Sequence, residues 1–165
     1  MTARLRIGLG IDVHRLAAGR PCILGGVEIP SPVGPAGHSD GDAALHAVCD
    51  AVLGAAGLDD LGSLFPDDDP TLAGRASSGF CVDVLERTRR AGWSVQSIDI
   101  VIETEKPAIQ PHRAAMRARI AALFGTEVDA VNVKGKSGEK VGPIGNGEAL
   151  RATAVALLSQ TREVG

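Results

Sequence analysis

The chain has 165 residues and a net charge of -3, which fits one ordinary domain and lacks the basic excess that a nucleic-acid footprint needs. Hydrophobic residues make up 44%, enough for a core, but aromatics are only 2% and Tyr is absent, so Leu, Val, Ile and Ala must fill it. That scarcity removes the stacking platforms of a single-strand binder, the three cysteines show no CxxC spacing, and no apolar stretch approaches the ~20 residues that cross a bilayer.

Residues 1–6 lead straight into a strand-like run without the apolar segment of a signal peptide, so the chain reads as soluble and cytoplasmic. Leu5, Ile7, Leu9 and Ile11 alternate with Arg6, Gly8 and Gly10, the period of a half-buried strand that continues to His14. Residues 22–29 read as a hairpin broken at Gly25-Gly26, and residues 30–37 as a loop. Ser39-Asp40-Gly41-Asp42 opens a helix, with Ser39 as cap and Asp42 in the place of a capping-box acid. Its apolar stripe is Leu45, Val48, Val52 and Leu53, and it stops near Gly57. Residues 59–70 form an acidic loop. A second helix spans about 78–91, a strand 97–104, and a third helix begins with Pro111 in its first turn and ends at Phe124-Gly125. Residues 131–134 make a short strand, 136–147 a glycine-rich loop, and 148–159 a last helix. This mixture predicts an α+β class: a single domain over 1–165, with a mixed β-sheet covered on one face by helices.

Three groups of residues carry chemistry. Asp12 and His14 are two apart on a strand and so point to one side. With His46 they offer two imidazoles and a carboxylate, a set that suits zinc with one open position. A lone Asp-x-His is common, and His46 also fits as a core histidine beside Leu45. Gly37-His38-Ser39 precedes a helix N-terminus, where free N–H groups attract anions; a plain N-cap explains the same residues. The run Asp59-Asp60 and Asp67-Asp68-Asp69 around Phe65-Pro66 suits either hydroxyl recognition or a solvated loop. Glu139, after Lys134 and Lys136, can hold Mg²⁺ against phosphates or pair with a lysine.

Taken in order, these segments resemble the 2-C-methyl-D-erythritol 2,4-cyclodiphosphate synthase family of the non-mevalonate isoprenoid pathway. The resemblance runs from residue 6 to residue 158. It is carried by Gly10-Ile11-Asp12-Val13-His14, by Ala36-Gly37-His38-Ser39-Asp40-Gly41-Asp42 continuing to His46, and by residues 54–62 with Leu64-Phe65-Pro66-Asp67. Val131-Asn132-Val133-Lys134 and Gly145-x-Gly147-Glu148 complete it. The resemblance implies a homotrimer with each site between neighbouring subunits. The substrate would be a small nucleotide-activated phosphosugar, with no nucleic-acid or membrane partner. It implies Zn²⁺ on Asp12, His14 and His46, and a second ion, Mg²⁺ or Mn²⁺, near Glu139. It matches His38 and Ser137 to transition-state stabilisers. Matched to substrate contacts are Asp12, Val13, His14, His38, Ser39, Asp60, Leu61, Gly62, Phe65, Pro66, Asp67, Asp68, Asp69, Lys136, Ser137, Gly138 and Glu139.

The chain departs from the family pattern in three places. The usual Ala-Gln-x-Pro-Lys of the cytidine segment is Thr104-Glu105-Lys106-Pro107-Ala108. The usual Thr-Thr-Thr-Glu run is Lys136-Ser137-Gly138-Glu139, and the arginine of the last glycine loop is Asn146. Two other functions compete for the same residues: a zinc-dependent phosphohydrolase, in which water attacks, and an inactive trimeric binding module. The first would release linear monophosphates; the joint presence of Asp12, His14, His46, Ser137 and Glu139 speaks against the second.

Overall fold

The computed structural model describes residues 2–37, 39–66, 68–72 and 74–162, so the expectations for His38 and Asp67 lie outside the described residues. The strands are β1 (Thr2–Ala18), β2 (Cys22–Leu24), β3 (Val27–Ile29), β4 (Val33–Pro35), β5 (Ser94–Glu103), β6 (Val131–Lys136) and β7 (Ala149–Arg162). The helices are α1 (Ala43–Ala56), α2 (Leu61–Leu64), α3 (Ser77–Arg90), α4 (Arg113–Phe124) and α5 (Gly142–Gly145). Five strands form one sheet in the order β4-β1-β7-β5-β6, and β2-β3 is a separate hairpin. The large sheet is mixed: β7 runs antiparallel to both β1 and β5, while β6 is parallel to β5. The α+β expectation stands.

The largest departure from the sequence reading is β7, expected as a helix over 148–159. Its Ala and Leu residues favour helix, and their spacing fits either period. In the fold it is the central strand, and Leu150, Ala152, Ala154, Ala156 and Leu158 alternate onto the buried face. Central strand pairing on both sides outweighs local propensity. The alanines are there because α1 lies directly over them.

β1 also alternates, with Gly8 and Gly10 turned toward α1 and Leu5, Ile7, Leu9, Ile11 and Val13 turned the other way. Those five outward side chains are between 53% and 75% exposed. One face of the sheet is therefore covered and the other carries an open apolar stripe. Burying such side chains is worth roughly 1.5–3 kcal/mol each, so leaving them open is costly for an isolated chain.

α1 is buried almost all round. Its three residues that are not buried, His46, Asp50 and Gly54, fall four apart on one line. The helix begins later than Ser39 suggested. Asp42 is the cap: its buried carboxylate accepts from Leu45 N at 3.0 Å, and from Gly25 N and Gly26 N at 2.8 and 2.6 Å. One side chain thus closes the helix start and pins the β2–β3 turn. Ser39 instead accepts from Gly41 N at 3.2 Å. The helix start is thus already supplied with a carboxylate. The helix stop at Gly57 is as expected, with φ 77 in the left-handed region.

Candidate active site

β1 carries Asp12 and His14 on the side facing α1, two residues beyond Gly10. α1 brings His46 to them. The Nδ1 of His46 lies 3.1 Å from Asp12 Oδ2, and the Nδ1 of His14 lies 3.0 Å from the same oxygen. The two rings are 5.6 Å apart, centroid to centroid. One donor atom from each of the three residues fits within 4.8 Å of the others, and all three side chains are mostly buried. The His14 Nδ1 is buried and, although 3.0 Å from Asp12 Oδ2, makes no hydrogen bond. An orphaned buried nitrogen beside a carboxylate and a second imidazole is costly without a further partner. The donor set therefore fits a divalent cation. Burial by itself would raise the Asp12 carboxyl, but the His14 and His46 rings against it outweigh that and hold the group well below the usual carboxylate range.

The triad opens into a cavity of about 420 Å³. Val13, Ser39, Leu61, Gly62, Phe65, Pro66 and Asp69 line it with Asp12, His14 and His46. Asp60 and Asp68 do not line it. Asp60 is exposed and caps α2, accepting from Ser63 N at 2.7 Å, which lowers its pKa. Asp69 is held by Thr71 through N and Oγ1 at 2.9 and 2.7 Å. A second cavity, about 390 Å³, is lined by Thr104, Glu105, Pro107, Lys134, Lys136 and Ser137, among others. The two cavities share no lining residue. Beside the second, Ser137 Oγ donates to Glu139 Oε1 at 2.7 Å and Gly138 N donates to Glu105 Oε2 at 3.2 Å. Among the described residues Glu139 joins no cluster of metal donors.

A family model described as the YgbB family matches residues 5–159. The chain belongs to the YgbB family. It is 51% identical to the 2-C-methyl-D-erythritol 2,4-cyclodiphosphate synthase of Chromobacterium violaceum over 155 residues, 94% of this chain and 98% of that one. It is 48% identical to the protein of the same name from Bordetella petrii over 160 residues, 97% of this chain and 99% of that one. Among solved structures, a CDP-bound 2C-methyl-D-erythritol-2,4-cyclodiphosphate synthase superposes with a TM-score of 0.86 at 40% identity, covering 93% of this chain and 99% of that one. The bifunctional IspDF from Campylobacter jejuni gives a TM-score of 0.93 at 33% identity; it covers 97% of this chain, which spans 43% of that protein.

Sequence reasoning missed three residues around the triad of this YgbB chain. Asp50, one turn after His46, lines the first cavity and accepts from Leu61 N at 2.7 Å, so it anchors α2. Burial raises its carboxyl above the ordinary value. The four-residue step from His46 to Asp50 was a usable signal. Asp40 and Ser77 meet behind His46. Asp40 stood in the quoted His-Ser-Asp-Gly-Asp run, but nothing in the spacing pointed to Ser77. Asn146, where the family has arginine, donates to Glu148 Oε1 at 3.3 Å and so stays a local loop partner.

Proposed function

We propose that this chain is a 2-C-methyl-D-erythritol 2,4-cyclodiphosphate synthase that converts 4-diphosphocytidyl-2-C-methyl-D-erythritol 2-phosphate to the 2,4-cyclodiphosphate and CMP. An oxygen of the 2-phosphate forms a bond to the β-phosphorus. The bond from that phosphorus to the oxygen bridging to the α-phosphate breaks, and CMP leaves with the bridging oxygen. No water is consumed. The observation that carries the reading is the Asp12-His14-His46 triad at the mouth of a cavity, in a chain that matches named synthases nearly end to end.

Zn²⁺ on Asp12, His14 and His46, and Mg²⁺ or Mn²⁺ at Glu139, would supply positive charge to the phosphoryl oxygens. The remaining work is positioning, because attacking and leaving groups are both anionic. Leu61, Gly62, Phe65 and Pro66 wall the first cavity around the methylerythritol part. Asp69 and Ser39 accept or donate at its rim, and Asp60 acts through the α2 turn that it caps. Lys136 and Ser137 face the phosphates, the lysine by charge and the serine hydroxyl as a donor to the developing oxyanion. His38 serves the same charge. The second cavity takes the cytidine end. Glu105 there keeps a hydrogen-bonding side chain where the family has Gln, and Ala108 leaves out the family's lysine.

The assembly in this reading is a homotrimer, working in the cytoplasm. Its support is the open apolar stripe of β1, continued by Val155 of β7, a patch of the kind that marks an interface. The separation of the two cavities supports the same idea: one subunit's triad cavity would meet its neighbour's Ser137 cavity. The test is CMP release from the cytidylyl substrate with added Mg²⁺. One CMP per substrate consumed is expected, with none from His46→Ala. CMP release by His46→Ala at the normal rate would remove the triad from the reaction.

A further inference from the structure

Both ring nitrogens of His46 are engaged. Nδ1 faces Asp12 at 3.1 Å, and Nε2 lies 2.8 Å from Ser77 Oγ. Ser77 opens α3 and is 0% exposed. Its backbone N–H donates to Asp40 Oδ2 at 3.0 Å, and its hydroxyl is in a short hydrogen bond with Asp40 Oδ1. Asp42 N also donates to Asp40 Oδ1, at 3.2 Å. Asp40 is thus clamped on Ser77 from a loop 37 residues away.

The donor count then fixes the direction of each bond. A carboxylate only accepts, so the single hydroxyl hydrogen of Ser77 goes to Asp40. The Ser77 oxygen is left as an acceptor toward His46. Nε2 must therefore carry a hydrogen; any hydrogen on Nδ1 donates to Asp12, and once a cation takes its place Nδ1 is the bare lone pair. That lone pair points at Asp12, on the side of His14. Phe80 packs edge-on against the same ring, at 6.3 Å and 67°, and holds its plane.

We propose that Ser77 and Asp40 are positioning residues that fix His46 as the Nε2–H tautomer and aim Nδ1 as a metal donor. The proposal rests on the reading of Asp12, His14 and His46 as a divalent-metal site. Neither Ser77 nor Asp40 lines the cavity of the triad, so both act through His46. A purely structural role, in which Asp40 only caps α3, would lower stability and leave metal affinity alone. Partners behind a metal-bound histidine typically change affinity by roughly 10–100-fold.

The experiment is competition between the metal-free protein and a chromophoric chelator for zinc alone, with thermal melting of the metal-free forms beside it. Wild type takes one zinc per chain. Ser77→Ala folds and binds zinc at least ~10-fold more weakly, and Ser77→Thr, which restores the hydroxyl, recovers most of the affinity. Unchanged zinc affinity in Ser77→Ala overturns the proposal. Failure of wild type to take up zinc overturns the metal reading as well, and so tells the two apart. Nitrogen NMR of the zinc-loaded wild type decides the matter independently if Ser77→Ala does not fold. A hydrogen on His46 Nε2 is expected; one on Nδ1 overturns the proposal.

Discussion

Gly10 of β1 lies so close to Ala47 of α1 that a methyl group on it would fall 1.9 Å from the Ala47 carbonyl oxygen. Gly8 meets Ala51 in the same way, one turn along. This contact sets α1 on the sheet at the depth where His46 reaches Asp12. Gly10→Ala must push backbone against backbone, and it should cost about 3 kcal/mol and weaken zinc binding with it. Gly54, on the open line of the same helix, has no neighbour within 4 Å of such a methyl. Gly54→Ala should leave zinc binding intact and stabilise the chain by about 0.5–1 kcal/mol. Urea unfolding and zinc titration of both variants check this pair of outcomes.

Asp42 gives a pH signature. Burial pushes its carboxyl up to about 6, against the three backbone N–H groups that favour the charged form. The native chain then keeps this proton up to about pH 6, while the unfolded chain releases it near pH 4. The native state binds more protons in that window, so this group's contribution falls as pH rises from about 4 to about 6 and is level above. The size is about 3 kcal/mol. In Asp42→Asn that decline should vanish from denaturation midpoints of the metal-free protein, and the variant should be weaker at pH 7 because one backbone N–H now faces an amide NH₂. An identical slope in both proteins would contradict the assignment.

Glu139 separates the two proposed ions. Its carboxylate takes a hydrogen bond from Ser137 on a loop remote in sequence from the triad. Glu139→Gln should keep normal zinc content and lose turnover by on the order of 100-fold, with part of the rate returning at high Mg²⁺. Near-normal turnover at low Mg²⁺ would reduce Glu139 to a loop residue.

A homotrimer predicts two linked outcomes. Ile7 is 75% exposed in the middle of the apolar stripe, and Ile7→Asp should turn a particle of three chain masses into monomers by sedimentation. Mixing His46→Ala with Ser137→Ala protein should restore part of the CMP release after subunit exchange, because some mixed interfaces regain both wild-type residues. No recovery, with exchange verified by mass spectrometry, would place both residues in one subunit's share of the site.

The candidate metal triad was legible before the fold was. Asp12 and His14 sit on a strand whose period is plain, and His46 lies on a helix with a clear apolar stripe, so only their convergence needed the structure. β7 was not legible, because Ala-rich segments fit both periods and its place between β1 and β5 is a tertiary fact. The cap at Ser39 was misplaced by three residues, because Asp42 is chosen by the β2–β3 turn as well as by the helix. Ser77 gave no signal, since its role depends on a loop that meets it only in the folded chain.

In the proposed reaction a phosphate of the substrate, and not water, attacks the β-phosphorus. The most direct measurement is phosphorus NMR of the products formed in ¹⁸O-labelled water with zinc-loaded protein and Mg²⁺. Intramolecular attack predicts CMP and a cyclic diphosphate with two mutually coupled phosphorus signals, neither product carrying ¹⁸O. Linear monophosphates, or ¹⁸O in any product phosphate, would contradict it and assign the triad to hydrolysis.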